Sequence, residues 1–384
     1  MRREVPFSPP NIGEEEIREV TDALRSDWIT TGPRTREFES RFAEAVGAPA
    51  ALALNSCTAG LHLALLAHGI GPGDRVATTP MTFAASVNVI EHVGATPLLV
   101  DVDPGTLNLS PAALEASLTP DVKAIIAVHY AGHPVDLDAI QAIARERGIP
   151  LIEDAAHALP ARYKGATIGS HGNLAAYSFY ATKNMTTGEG GMLTGPVDEI
   201  DRVRSLSLHG LSKDASRRYD KGGSWRYDIL APGFKYNMTD LQAALGMVQL
   251  GRLDEFQSRR REVVDTYNDV FGSIEELDVP VERAEVESAL HLYVLRFQLD
   301  RLNVTRDEII AHLAEVGVRT SVHFIPIHTH PFYREKYGYA PEDFPVANAE
   351  FERMISLPLN SRMSNEDVAY VIESVRDLVA NARR

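Results

Sequence analysis

The chain has 384 residues, a hydrophobic fraction of 44% and a formal net charge of -15 at pH 7. This apolar fraction is ordinary for a globular protein and excludes disorder or a coiled coil as the main state, and the length indicates two domains or one large domain with an appendage. The acidic balance argues against nucleic acid as a partner, because binding to its phosphates needs clustered Lys and Arg.

The N-terminal ten residues contain no apolar core long enough for a signal peptide. No run of about 18 or more apolar residues follows, so we expect no membrane span. The single cysteine, Cys57, cannot form an intramolecular disulfide, which favours a reducing compartment. The sequence therefore predicts a cytoplasmic protein with no membrane partner.

Short apolar runs alternate with helical stretches between about residues 50 and 195. The predicted strands are 75–79, 96–102, 123–130 and 150–154, and the predicted helices are 84–92, 111–117 and 136–147, the last ending at Gly148. This alternation indicates βαβ units and a mostly parallel sheet covered on both faces. Ligands of such sheets bind at the carboxyl ends of the strands.

The second half of the chain has a different pattern. It predicts one long helix at 238–261, a strand at 290–297, a helix at 305–316 with Thr305 and Glu308 as a capping box, and a last helix at 364–380. We therefore expect an α/β protein with a large domain at residues 1–250 and a smaller α+β domain at residues 251–384.

Lys183 lies between a predicted strand at 176–180 and a turn that contains Gly188, Gly190 and Gly191. Burial of a lysine lowers the pKa of its amine, and the neutral amine is available for Schiff-base chemistry. An ordinary surface lysine beside a glycine turn is the alternative for this segment taken alone.

Two further segments suit a phosphorylated ring cofactor. Asp154 ends a buried strand, where a carboxylate could keep a pyridine nitrogen protonated, although a helix N-cap is the alternative. Residues 55–60 place small polar side chains before an apolar helix, whose first backbone N–H groups attract an anion. A plain helix cap without a ligand is the alternative here.

Together these segments resemble motifs of the DegT/DnrJ/EryC1/StrS sugar aminotransferase family. The resemblance covers nearly the whole chain and rests on residues 28–33, 55–60, 128–132, 153–157, 178–191, 232–240 and 322–328. Within the family these motifs look closest to those of the UDP-4-amino-4-deoxy-L-arabinose oxoglutarate aminotransferases. The resemblance implies a fold-type-I transferase that uses pyridoxal 5'-phosphate (PLP), with a mostly parallel sheet of the seven-stranded type.

The resemblance also implies roles for single residues around the cofactor ring. Lys183 would bind the cofactor covalently and then move a proton between the cofactor and the substrate carbon. Asp154 would keep the ring nitrogen protonated, so that the ring can accept electrons. Phe83 would stack on the ring, at a position where the UDP-4-amino-4-deoxy-L-arabinose enzymes look to have Trp, and His157 would lie near the phenolic oxygen of the ring.

The resemblance assigns the remaining residues to the phosphate and the substrate. The expected phosphate ligands are Thr58, Ala59, Ser178 and, from the neighbouring subunit of a homodimer with shared active sites, Asn237. The expected substrate contacts are Thr31, His323, His328 and Arg226. Arg226 ends a basic stretch at 217–226, which is either a loop over the diphosphate or a surface loop.

A metal site is the alternative for the histidines at 323, 328 and 330. Their spacings lack companion acids or cysteines and match no strong template, so we expect no metal.

The sequence therefore predicts a PLP-dependent aminotransferase that moves an amino group from L-glutamate to a keto sugar on a nucleotide diphosphate, with a UDP-linked 4-keto sugar as the leading acceptor. One alternative is a PLP-dependent sugar dehydratase on the same scaffold. That chemistry goes with a histidine in place of Lys183 in the family, so the lysine counts against it. The other is a non-catalytic sensor or regulatory protein, which would need neither Lys183 nor Asp154. The sugar, the carbon, the nucleotide and the pathway stay open.

Overall fold

The computed structural model describes residues 3–212 and 226–384. The first part of the chain contains the helices α1 (Glu14–Arg25), α2 (Pro33–Val46), α3 (Cys57–Ala67), α4 (Ala84–His92), α5 (Pro111–Ser117), α6 (Leu137–Arg147), α7 (Val197–Arg204) and α8 (Asp240–Gly251). Its strands are β1 (Ala50–Leu54), β2 (Arg75–Thr78), β3 (Thr96–Leu99), β4 (Val122–Val128), β5 (Leu151–Asp154), β6 (Arg162–Tyr163), β7 (Ala166–Thr167), β8 (Leu174–Ser178) and β9 (Gly191–Gly195).

The second part contains the helices α9 (Leu253–Phe271), α10 (Arg306–Glu315), α11 (Pro331–Tyr337), α12 (Pro345–Arg353) and α13 (Asn365–Ala382). Its strands are β10 (Leu277–Asp278), β11 (Val286–Glu287), β12 (Tyr293–Phe297) and β13 (Met354–Leu357).

A seven-stranded sheet in the order β1-β9-β8-β5-β4-β2-β3 forms the centre of the described structure. Strand β9 is antiparallel to both neighbours, and the other pairs are parallel, so the prediction of a mostly parallel sheet is confirmed. Side chains alternate between the two faces of the sheet. Along β4, Ile125 packs into the core on one face, and Ala124 and Ile126 pack into the core on the other. Both faces are therefore covered.

Local signals explain several of these elements. Asp136 caps α6 by accepting the N–H of Ala139 at 3.2 Å, and Gly148 ends this helix in a left-handed conformation at φ 64°. Thr305 and Glu308 form the predicted capping box of α10. The predicted helix stop and the predicted helix start are both confirmed.

The prediction of one long helix at 238–261 is wrong. The chain forms α8 and α9, and Arg252 between them leaves the helical conformation at φ -100° and ψ 3°. The Arg252 guanidinium donates to the buried Glu16 carboxylate at 2.8 Å and lies 4.7 Å from the Phe256 ring. The contact with Glu16 spans 236 residues of sequence and is not visible in a local hydrophobic pattern.

Residues after this break build a second core around the three-stranded sheet β10-β12-β13. Side chains of α9, α10 and α13 fill it, and Val5 from the N-terminal segment joins them. The proposed domain boundary near residue 250 falls beside the break. In the described ranges no helix has the length and apolar character needed to cross a membrane.

Candidate active site

The parallel strands β1, β5 and β8 end at the rim of one cavity of about 600 Å³. Seven of the candidate site residues from the sequence line it, namely Thr58, Phe83, Asp154, His157, Ser178, Lys183 and His323. This volume lies in the usual range for small-molecule sites. The strand-end rule therefore predicted the location of the cavity correctly.

Asp154 ends β5 and is buried beside the cavity. Its Oδ1 accepts the N–H of Ala156 at 3.1 Å, and its Oδ2 accepts the hydroxyl of Ser86 at 2.7 Å. Burial raises the pKa of the Asp154 carboxyl above its ordinary value, while the hydrogen bond from Ser86 is the strongest of the opposing effects. A turn follows Asp154 where a capped helix would begin, so the helix-cap alternative is wrong.

Lys183 follows β8 in a tight turn, where its N–H donates to the carbonyl of Tyr180 at 2.9 Å. The chain returns to the sheet at Gly191, which pairs with Ser178 across β8 and β9. This return places the Lys183 side chain at the cavity. Burial lowers the pKa of its amine to about 8, and the nearby Asp154 carboxylate partly opposes this effect.

We predict that the Lys183 amine reacts with an acylating reagent at much lower pH than an ordinary lysine does. At pH 7 an amine with a pKa of about 8 is about 10% neutral, against about 0.03% for an ordinary lysine. Protonation stops the reaction, so labelling falls as the pH decreases through 8. Quantitative peptide mapping of the cofactor-free protein measures this. Lys164 is the internal control, because a hydrogen bond to Asp138 raises the pKa of its amine.

The N-terminus of α3 forms one wall of the cavity. Ser56 caps this helix, since its Oγ accepts the N–H of Ala59 at 3.1 Å. The Ala59 N–H expected to bind phosphate therefore donates to Ser56 in this structure, whereas Thr58 and Ser178 line the cavity. Backbone N–H groups of a first helical turn lack partners within the helix, so this wall suits an anion.

We predict that Gly191→Ala weakens cofactor binding by about tenfold or more. A Cβ atom at this position would lie 2.4 Å from the carbonyl carbon of Ser56 and 2.5 Å from the nitrogen of Cys57. The backbone at the start of α3 would have to move, and such overpacking costs about 1–3 kcal/mol. Titration with PLP measures the loss. Gly251→Ala is the matched control, because its Cβ meets no atom within 4 Å.

Aromatic rings surround the rest of the cavity. Phe83, before the first residue of α4, is 64% exposed, and its ring centroid lies 6.0 Å from that of Phe324. The His157 ring stacks on Phe324 at 5.7 Å and lies 4.3 Å from the ring of His291. Burial lowers the pKa of both histidines well below the ordinary value, so both rings are neutral near pH 7.

The two histidines expected near the sugar lie in different surroundings. His323 lines the cavity, its Nδ1 lies 2.9 Å from Ser356 Oγ, and burial lowers its pKa to about 4. His328 does not line it, because its buried ring packs on Phe344 with the centroids 4.7 Å apart. No three His, Cys, Asp or Glu residues of residues 3–212 and 226–384 form a group that could hold a metal ion.

Asn237, Thr31 and Arg226 also lie outside the cavity of their own chain. The Asn237 amide donates to Thr31 Oγ1 at 2.6 Å and accepts from the Lys235 ammonium at 2.6 Å. Arg226 is exposed and follows directly on residues 213–225, which lie outside the described ranges with most of the basic stretch. Asn237 is thus held by hydrogen bonds to Thr31 and Lys235, and it lies outside the cavity that Lys183 lines.

Two cavity neighbours escaped the sequence reasoning. Ser86 lies within a predicted helix, and nothing in its local pattern marks it as a partner of Asp154. His291 interrupts an apolar strand pattern, which is a usable signal, and it reaches the Asn184 side chain at 3.0 Å next to Lys183.

The lining residues fit PLP. A half-buried lysine with a lowered pKa, a buried carboxylate and a helix N-terminus suit the aldehyde, the pyridine nitrogen and the phosphate of that cofactor. The cavity is also large enough to admit a substrate beside a cofactor of this size.

Comparison with known proteins adds independent findings. The model of the DegT/DnrJ/EryC1/StrS aminotransferase family matches residues 10–376. Among curated proteins, the spore coat polysaccharide biosynthesis protein SpsC of Bacillus subtilis is 51% identical over 380 residues, which cover 98% of each chain. An uncharacterised protein of Methanocaldococcus jannaschii, MJ1066, is 50% identical over 379 residues, again with 98% of each chain covered.

Solved structures resemble the chain over nearly its full length. Spr1654 of Streptococcus pneumoniae, assigned as a sugar aminotransferase and solved in its PLP form, has a TM-score of 0.92 at 38% identity and covers 99% of both chains. The sugar aminotransferase CalS13 of Micromonospora echinospora has a TM-score of 0.87 at 29% identity, covering 97% of this chain and 99% of that one. The resemblance and the fold class inferred from the sequence are confirmed.

Proposed function

Because the chain belongs to the DegT/DnrJ/EryC1/StrS aminotransferase family, we propose that this PLP-dependent sugar aminotransferase moves an amino group from L-glutamate to a keto sugar carried on a nucleotide diphosphate. The observation that carries the proposal is the meeting of Lys183, Asp154 and the N-terminus of α3 at one cavity. A UDP-linked 4-keto sugar is the leading acceptor, and the likeness to UDP-4-amino-4-deoxy-L-arabinose enzymes stays a prediction.

PLP, when bound, supplies an aldehyde that takes up the amino group and a ring that delocalises the electron pair of the broken C–H bond. Lys183 would hold the cofactor through its neutral amine, in agreement with its lowered pKa, and once released by the substrate amine it would carry the proton between the substrate carbon and the cofactor. Asp154 would keep the proton on the ring nitrogen. In the second half-reaction Lys183 would deliver the proton that sets the new stereocentre.

The remaining residues bind and orient. The helix N-terminus at Thr58 and the hydroxyl of Ser178 would hold the phosphate, and Phe83 would stack on the ring. His157 is neutral and can exchange a hydrogen bond with the phenolic oxygen. Phe324 and Phe83 add apolar surface to the lining of the cavity.

The names of two similar proteins support a nucleotide-linked sugar as the acceptor. SpsC is named for polysaccharide biosynthesis, and the Helicobacter pylori enzyme PseC, at 25% identity and a TM-score of 0.90, for an aminotransferase step towards pseudoaminic acid. Polymer assembly uses activated sugars, and a diphosphate is the usual activating group. A nucleotide-linked acceptor is also consistent with a cavity of about 600 Å³, which is larger than the cofactor alone needs.

A panel of keto sugars tests the acceptor. The protein is loaded with the pyridoxamine form of the cofactor and offered 4-keto sugars on UDP, dTDP or GDP, the same sugars without nucleotide, and a cyclitol ketone. Mass spectrometry detects the amine, and we expect it with a nucleotide-linked sugar, fastest on UDP. Equal rates with the unlinked sugar or the cyclitol ketone would contradict the nucleotide requirement. A missing glutamate half-reaction would contradict the aminotransferase itself and favour the dehydratase or the sensor.

The dimer is a further part of the proposal. The Asn237 side chain lies away from the cavity of its own chain, on a segment whose Tyr236 carbonyl accepts the N–H of Asn55 at 2.7 Å. We propose that Asn237 reaches the phosphate in the neighbouring subunit, so that each cavity uses two chains. PLP would then stabilise the dimer, because a ligand that binds only the assembled form favours assembly.

Mixed dimers test this arrangement. Lys183→Ala and Asn237→Ala homodimers should each be impaired, whereas their heterodimer should contain one site with both lesions and one site with neither. We expect the coexpressed sample to recover activity beyond the sum of the parents. An active monomer would contradict sharing. So would a lack of recovery when heterodimers form and Asn237→Ala alone is impaired.

A further inference from the structure

Two buried hydroxyl groups lie next to Asp154, those of Ser86 and of Thr82, which also lines the cavity, and neither belongs to a motif recognised in the sequence. Ser86 Oγ is 2.7 Å from Asp154 Oδ2, and Thr82 Oγ1 is 2.7 Å from Ser86 Oγ. Both side chains are almost completely buried, with exposures of 0% for Ser86 and 2% for Thr82. The three groups form a chain of hydrogen bonds that ends at the carboxylate.

The direction of this chain follows from the hydrogen atoms available. An ionised carboxylate only accepts, so Ser86 donates its single hydroxyl hydrogen to Asp154. The competing acceptor, the Phe83 carbonyl, is 3.5 Å from Ser86 Oγ and is a much weaker partner. With its hydrogen used, Ser86 Oγ can only accept from Thr82. The donation therefore runs from Thr82 to Ser86 to Asp154.

Helix α4 fixes the position of the Ser86 hydroxyl in this series of hydrogen bonds. Ser86 lies in the first turn of the helix, its backbone N–H donates to the Phe83 carbonyl at 3.3 Å, and Thr82 lies four residues before it. Its neighbour Val87 is fully buried in a hydrophobic cluster, which anchors this turn of the helix. The hydroxyl of Ser86 is consequently preorganised towards the carboxylate.

We infer that Ser86 and Thr82 are positioning residues, which keep Asp154 ionised and its carboxylate in one orientation, so that it retains the proton on the cofactor ring nitrogen. The inference rests on the role proposed above for Asp154. Without the Ser86 hydroxyl the carboxylate becomes a stronger base. The proton shared with the ring nitrogen then moves to Asp154, and the ring loses its positive charge.

The burial of Asp154 makes this support necessary. Burial raises the pKa of the carboxyl, and Ser86 is the strongest of the groups that lower it again. A hydrogen bond to a charged group has a larger effect than one between neutral groups, and neighbouring hydroxyl groups in a chain strengthen one another. Ser86 therefore has a large effect on Asp154, and Thr82 a smaller one in the same direction.

The test compares Ser86→Ala and Thr82→Val with the control Thr82→Ser, which keeps the hydroxyl. Carbon-13 NMR of labelled aspartate follows the titration of Asp154 in the full chain without PLP, with the signal assigned from Asp154→Asn. Nitrogen-15 NMR of labelled PLP reports protonation of the ring nitrogen in the loaded protein. Stopped-flow absorbance gives the rate of the glutamate half-reaction.

In Ser86→Ala we expect the Asp154 titration to move up by about one to two pH units, and the half-reaction to slow by roughly 10- to 100-fold. The nitrogen-15 signal should move towards that of unprotonated pyridine. Thr82→Val should show smaller shifts of the same sign, and Thr82→Ser should behave like the parent protein. Ser86→Ala removes one atom from a helix and is expected to fold.

Two results would overturn the inference. An unchanged Asp154 titration in Ser86→Ala means that the hydroxyl does not support the carboxylate. A changed titration with an unchanged nitrogen-15 signal means that these hydrogen bonds do not control the protonation of the ring nitrogen. Failure of the proposed role of Asp154 is seen separately, as an unaltered half-reaction in Asp154→Asn, and leaves the carbon-13 test of the hydrogen bonds intact.

Discussion

Replacing Lys183 with alanine is expected to abolish transamination while PLP still binds through its phosphate. The variant lacks both the nucleophilic amine and the group that moves the proton, and positioned acid–base groups alone contribute up to about 10⁴-fold in rate. We therefore expect the glutamate half-reaction to slow by about 10⁴-fold or more. Single-turnover absorbance spectra with excess glutamate measure this.

Lys164→Ala is the matched control for this variant. Lys164 is exposed and paired with Asp138, and it lies outside the cavity. This variant should keep the parental rate and the parental spectrum. A Lys183→Ala protein that turns over glutamate within tenfold of the parent would show that another amine performs the chemistry.

Replacing Asp154 with asparagine is expected to cost far more rate than cofactor affinity. A neutral amide cannot keep a positive charge on the ring nitrogen, and the loss of a comparable charge-stabilising group costs about 3–4 kcal/mol, or about 10²–10³ in rate. Affinity should change less, because the phosphate contacts remain. Rates come from the glutamate half-reaction and affinity from PLP titration.

A second carboxylate at the same cavity offers the comparison. Glu189→Gln also removes one negative charge from the lining of the cavity. Glu189 is exposed, whereas the Asp154 carboxylate is buried and accepts its hydrogen bonds from Ser86 and Ala156. Its effect on the half-reaction should be much smaller than that of Asp154→Asn. Equal losses in both variants would mean that the overall charge of the cavity matters, and near-normal rates in Asp154→Asn would reduce Asp154 to a structural role.

The elements that the sequence predicted well are those with strong local signals. Gly148 and the Thr305–Glu308 capping box mark helix ends by backbone chemistry that is local in the chain, and both occur as expected. The long helix failed because the helical conformation is interrupted at Arg252, whose guanidinium contacts Glu16, 236 residues away in sequence. A hydrophobic period carries no information about such contacts.

The same distinction applies to the site. Asp154 and Lys183 meet at the cavity because parallel strands bring their carboxyl ends to one edge, which a pattern of strands can predict. His328 was expected near the sugar, but its ring is packed on Phe344 away from the cavity. Ser86 was missed, because only the folded helix α4 brings its hydroxyl to a residue 68 positions later.

Borohydride reduction of the PLP-loaded protein tests the central claim most directly, since it makes the link between cofactor and protein permanent. Proteolysis and peptide mapping then identify the modified residue. The account predicts that the pyridoxyl label lies on Lys183 alone, and that Lys183→Ala binds PLP without acquiring the label. A label on any other lysine, or none after saturation with PLP, would contradict it.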